Sequence, residues 1–167
     1  KFEYLKENLE TRIASLLHSN KIVGRFHGRM EWGPRALGNR SILANPTKSE
    51  INDFLNERLN RTEFMPFAPS IMKDHANKYL IGYKDNDIAA NFMTVTYDIY
   101  NDKIKEIPAV VHIDKTARPQ IVDKENNIFY YNIIKEYYNL SGIPVIINTS
   151  FNLHEEPIVC SPYDALR

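Results

Sequence analysis

Short apolar runs alternate with amphipathic segments along most of the chain, and that alternation restricts the fold to helices packed on a sheet. Phe2, Leu5, Leu9, Ile13, Leu16 and Leu17 recur at helical spacing, and Lys21 to Phe26 reads as a strand. Gly28 to Arg40 is too irregular for either element and reads as a structured loop. Ser41 to Ala44 is a second strand. Thr47 and Glu50 have capping-box spacing ahead of a helix with Ile51, Phe54, Leu55 and Leu59 on its apolar face. Phe67 to Met72 reads as a buried strand, followed by a short helix over 74–80. Phe92 to Tyr100 and Ile104 to Ile113 are β-rich runs parted by Asn101-Asp-Lys103, the pattern of a hairpin. Arg118 to Val122 is extended. A helix carrying Ile128, Tyr131, Ile134 and Tyr138 ends at Gly142, and Pro144 to Ile147 is a last apolar strand. The sum is a mixed, twisted α/β sheet with helices packed on it.

Composition narrows the class further. A chain of 167 residues, 43% hydrophobic and 25% charged, suits one globular domain with one substantial core. Lys and Arg number 21, as do Asp and Glu, so bulk charge selects no polyanionic partner. The single cysteine, Cys160, excludes an internal disulfide, and its apolar setting predicts a buried, inert thiol. The five histidines lack metal-ligand spacing, so no metal site is expected. No apolar run has the length of a membrane span and no signal peptide is visible, which makes a cytoplasmic location the expectation. The Asn-x-Ser/Thr matches at Asn39, Asn60, Asn139 and Asn148 are common by chance and read as decoys. Starting at Lys1 without an initiator Met and ending inside a helix-like stretch, residues 1–167 read as a single domain excised from a longer chain.

Three segments could carry chemistry. Residues 25–40 hold Arg25, Arg29, Arg35 and Arg40 against Glu31 alone, a local charge of 4 − 1 = +3. Guanidinium forks match phosphate oxygens in pairs, and Gly28, Gly33 and Gly38 let the backbone bend closely around a ligand. The stretch is neither a Walker loop nor a dinucleotide fingerprint. Its bland reading is a surface loop whose arginines pair with carboxylates. Trp32 gives it a faint likeness to a nucleic-acid platform, but the neutral overall charge argues against such a partner. In the second segment, between His112 and Gln120, Thr116 and Arg118 could hold a phosphate, whereas His112 and Asp114 read as structural. The third, Asn148-Thr-Ser150-Phe-Asn152, follows an apolar strand, and ligands gather beyond the carboxyl ends of strands in open α/β sheets. Its bland reading is a polar turn.

Together the stretches Gly28–Leu43, Phe64–Ser70, Pro108–Gln120 and Asn148–Cys160 resemble the C-terminal domain of the O-carbamoyltransferase family, which includes nodulation and antibiotic-modifying enzymes. They occur in the family's order and cover nearly the whole chain. The resemblance implies a YrdC-like open twisted mixed sheet with flanking helices. It also implies an activity: carbamoyl phosphate and ATP, with Mg²⁺ on the nucleotide, give carbamoyl-adenylate as a carbamoyl oxygen attacks the α-phosphorus and pyrophosphate leaves. An actin-like, metal-containing N-terminal domain of the same polypeptide then passes the carbamoyl group to an acceptor hydroxyl. The implied partners are that domain and a small-molecule substrate, with a homodimer as a further option; no membrane or nucleic acid is implied.

By the same resemblance Arg118, Arg35 and Arg40 are the catalytic cations. Ser150, Asn152, Thr116, Arg61 and Asn148 hold nucleotide or carbamoyl groups. The match breaks ahead of Pro66, where the family's lysine and second arginine are Leu59 and Met65 here. Two other readings compete: a nucleotide- or RNA-binding module without turnover, and a structural domain that docks on the N-terminal partner.

Overall fold

The structure, a computed structural model, describes residues 8–60 and 67–167. Its frame is a five-stranded open sheet of β1 (Val23–Phe26), β2 (Arg40–Ala44), β3 (Ala68–Met72), β6 (Gln120–Val122) and β7 (Val145–Ser150), in the order β1-β2-β7-β3-β6. Neighbouring strands run antiparallel except β3 and β6, which are parallel. The two remaining strands, β4 (Tyr97–Asp98) and β5 (Thr116–Ala117), pair with each other outside this sheet.

Residues along the central strands point alternately to two apolar clusters, as the period of a strand requires. Leu43, Met72, Val122 and Ile146 face α1 (Leu9–His18) and α4 (Ile128–Ser141). Ile42, Ile71, Ile121 and Ile147 face the opposite cluster, which includes Leu55 of α2 (Glu50–Arg58). Every residue of β2 and β3 is buried. Their burial at every position follows from cover on both faces of the sheet, with Arg40, Ser41 and Ser70 as buried polar members.

The alternation predicted by the sequence is present, and the fold is the mixed α/β class. Asn127 caps α4 by accepting from the Tyr130 N–H at 3.1 Å, and Gly142 closes it in the left-handed region at φ 74°. Tyr130, Tyr131 and Tyr137 of α4 are buried.

Three local expectations are corrected. The hairpin around Asn101-Asp-Lys103 is absent: Asn101–Ile104 forms the short helix α3, and Pro108–Val110 forms a 3₁₀ turn. Pro108 has no N–H to give a ladder, and Ile107, Ala109 and Val110 gain more by burying against α2, where Asn52 donates to the Ala109 carbonyl at 3.0 Å. No capping box forms at Thr47 and Glu50; the N-cap of α2 is Ser49, without a side-chain bond. Cys160 is exposed rather than buried: Val159 takes the inward position, and the chain turns there into α5 (Pro162–Leu166). Phe2 and Leu5, expected in the opening helix, lie outside the described residues.

Candidate functional site

The Arg-rich loop between β1 and β2 is held from within by its one carboxylate. Glu31 Oε1 accepts the backbone N–H groups of Leu37 and Asn39, each at 2.7 Å, and of Arg40 at 3.2 Å. Arg40, only 4% exposed, lies over the Phe26 ring and donates to the carbonyls of His27, Gly28 and Asn39. Arg25 donates to the Gly38 carbonyl and to Asn39 Oδ1. Burial lowers its pKa from the ordinary guanidinium value. These two arginines therefore fix the loop's backbone from beneath.

A buried polar network ties the loop to the sheet. Gln120 Nε2 donates to the Leu37 carbonyl at 2.8 Å, and Gln120 Oε1 accepts from Ser70 Oγ at 2.7 Å and Asn148 Nδ2 at 2.8 Å. Asn148 Nδ2 also donates to the Ala36 carbonyl at 3.1 Å, and Tyr130 of α4 donates to Ser70 Oγ at 2.8 Å. Burial drives the Tyr130 phenol upward in pKa, so it stays a donor. Asn148 is 1% exposed and sits behind the loop, with its Oδ1 buried and unpartnered.

So anchored, the loop turns Trp32, Pro34 and Arg35 outward. Arg35 meets Arg118, on the segment entering β6, in a cleft of about 460 Å³ also lined by Phe92, Met93 and Thr94. Burial first, and the Arg35 charge second, lower the Arg118 pKa. Among the described residues neither arginine has a carboxylate within ion-pair distance, and Arg118 Nε is buried without a partner. Arg118 is half-buried and Arg35 exposed, and an anion between the two like charges lowers their repulsion.

The other expected site residues lie elsewhere. Thr116 closes a turn, with its Oγ1 donating to Asp114 Oδ1 at 2.8 Å. Ser150 ends β7 opposite Ser41, and Asn152 Nδ2 donates to the Leu153 and Glu156 carbonyls. None of these lines the Arg35–Arg118 cleft. Arg61 lies outside the described residues, as does Met65, while Leu59 is buried in the core at 7% exposure. Sequence reasoning gave no role to Glu31, Ser70, Gln120 or Tyr130. A single carboxylate inside an arginine-rich loop was the signal for the first; Ser70 within an apolar strand was a weaker one. Among the described residues no group of three or more His, Cys, Asp or Glu could hold a metal, and no helix is long and apolar enough to cross a membrane.

The chain matches the family model described as carbamoyltransferase C-terminus over residues 14–167. It is 48% identical over 167 residues to a protein of Methanocaldococcus jannaschii described only as uncharacterized, covering 99% of this chain and 32% of that protein. It is 37% identical over 161 residues to nodulation protein NolNO of Sinorhizobium fredii, covering 96% of this chain and 24% of the relative. The chain thus spans only about a quarter to a third of these relatives. In fold it is similar to full-length HypF solved in a phosphate- and nucleotide-bound form, with a TM-score of 0.63 at 20% identity, covering 98% of this chain and 20% of that one. The HypF of T. kodakarensis gives 0.61 at 15% identity, with 95% and 19% covered. At such identities the likeness is one of fold, and it agrees with the open mixed sheet observed. With a match running through nearly all of its length, this chain belongs to the carbamoyltransferase C-terminus family.

Proposed function

We propose that this chain is the carbamoyl-activating part of a larger cytoplasmic O-carbamoyltransferase, making carbamoyl-adenylate from ATP and carbamoyl phosphate. A separate actin-like, metal-containing domain then transfers the carbamoyl group to an acceptor hydroxyl. The observation that carries the reading is the Arg35–Arg118 cleft: two guanidiniums distant in sequence, facing one space with no described counter-ion. Family membership supports carbamoyl transfer as the class of chemistry, and the cation pair offers a seat for a phosphorylated reactant.

The reaction needs positioning and charge stabilisation more than covalent help. Carbamoyl phosphate loses its phosphoryl group to water as orthophosphate, leaving carbamate. A carbamate oxygen then bonds to the α-phosphorus of ATP as the bond to the β,γ-pyrophosphate breaks. Arg118 and Arg35 stabilise the charge that builds on the phosphoryl oxygens. Arg40, Asn148 and Gln120 act from below by fixing the loop that presents Arg35. Ser150 does not line the cleft, so the phosphate or carbamoyl contact that the resemblance implies for it has no part in this step. Among the described residues no carboxylate lines the cleft, so these residues would give a Mg²⁺ arriving with ATP no carboxylate ligand there.

The test is to incubate the chain, alone and with its N-terminal partner domain, with ATP and carbamoyl phosphate, and to measure pyrophosphate and carbamoyl-AMP. Arg118→Ala is expected to lower the rate by about 100-fold or more. Folded wild type that forms no product even with the partner domain overturns the reading.

A further inference from the structure

The loop tip that carries Arg35 also carries the only tryptophan in the chain, and Trp32 is fully exposed at 103%. Among the described residues no ring or cation stacks on it. Exposure alone does not single it out, since Ile113 is as exposed at 104%; its place beside two guanidiniums does. Here it is also displayed from a fixed base, because Glu31, Arg40 and Arg25 bind the loop backbone on either side of the tip. Phe92, itself 48% exposed, lines the same cleft. Two outward rings and two guanidiniums without described carboxylate partners thus frame one space of about 460 Å³, within the range of nucleotide-sized sites.

We propose that Trp32 is the stacking platform for the base of the nucleotide whose phosphates lie on Arg35 and Arg118, and that the cleft selects by ring face rather than by base edge. This rests on the phosphate-binding reading of the same cleft. A base offers its π-face to an indole whatever its edge carries, so stacking favours the larger purines without separating adenine from guanine. A base edge is read by spare hydrogen-bonding groups, and side chains are the ones that differ from site to site. Besides the arginines and the indole N–H of Trp32 itself, the only polar side chain among the described residues lining the cleft is Thr94, and its Oγ1 donates to the Ala89 carbonyl at 2.8 Å.

Because Trp32 is the sole tryptophan, its emission reports on this position alone. ATP, GTP, CTP and inorganic tripolyphosphate are titrated into the chain, with binding followed by calorimetry and by Trp32 fluorescence. ATP and GTP are expected to quench the emission with affinities within about threefold of each other, and CTP to bind about tenfold more weakly. Tripolyphosphate is expected to bind without comparable quenching. Trp32→Ala, at a fully exposed position, is expected to weaken ATP by roughly 10- to 100-fold while leaving tripolyphosphate unchanged, and Trp32→Phe to restore part of the loss. Unchanged ATP affinity in Trp32→Ala overturns the stacking platform while the phosphate reading stands. More than tenfold preference between ATP and GTP overturns selection by ring face. If neither ATP nor tripolyphosphate binds, the phosphate reading fails and the platform with it.

Discussion

At the scale of single residues, the site depends on side chains that touch no ligand. Glu31 gathers three backbone N–H groups onto one carboxylate oxygen, which gives an otherwise irregular loop a single shape. Glu31→Ala would leave those donors without their acceptor. It is expected to destabilise the chain by about 1–3 kcal/mol, read as a lower urea midpoint, and to weaken nucleotide binding; Glu31→Gln should keep most of both. An alanine variant with unchanged midpoint and affinity would remove Glu31 from this role. Gly38 shows the same dependence in steric form. Its φ of 113° suits only glycine, and a Cβ there would lie 2.6 Å from Cδ1 of Tyr130, so loop and helix meet with no room for a side chain. The glycines were visible in the sequence as places of close approach; that one of them backs onto a tyrosine ring was not.

At the scale of elements, caps and turns explain both the successes and the errors of sequence reading. The final helix α5 is built on reciprocal bonds: Ser161 N–H and Oγ–H both donate to Asp164 Oδ2 at 2.8 Å, and Asp164 N–H donates back to Ser161 Oγ at 3.2 Å. The Ser161 N–H foremost holds the Asp164 carboxyl below its ordinary range. A folded pKa below the unfolded value means that this contribution is complete above about pH 3.9 and is lost as pH falls through the lower folded value. NMR titration should give Asp164 a midpoint below 3.9, with the Ser161 amide shift following the same curve. Asp164→Asn should abolish that pH dependence, and an ordinary midpoint would count against the cap. The hairpin expected around Asn101 failed for a different reason. Its flanking runs are rich in strand-forming residues, yet Pro108 blocks a ladder and the apolar side chains find a better burial site against α2.

At the scale of the whole molecule, the sheet is the shared wall of two apolar clusters. Because neighbouring residues of one strand face opposite clusters, neither cluster can come apart while the other keeps its strands. Leu43→Ala, on the α1–α4 side, and Ile147→Ala, on the other, should each cost about 2–5 kcal/mol and shift one common transition. Circular dichroism during urea unfolding checks this, since the exposed indole of Trp32 is nearly as solvated before unfolding as after. Two separate transitions in either variant would show independent clusters. The same wall brings the functional segments together: β6 places Arg118 beside the loop that β1 and β2 support, and Gln120 links that loop to β3 and β7.

Local sequence determined most of the elements, because burial period, caps and proline positions act over a few neighbours and leave a readable pattern. It also determined the family, through stretches such as Gly28–Leu43 that chance does not reproduce. Only the tertiary structure decided how Arg25, Arg35 and Arg40, three of the four arginines in residues 25–40, divide their work. Arg25 and Arg40 are committed to loop carbonyls, whereas Arg35 shares a cleft with Arg118. In the sequence these side chains are chemically identical. What separates them is which carbonyls the folded backbone brings within hydrogen-bonding reach, and that is set by strand order and loop closure rather than by any residue's neighbours in the chain.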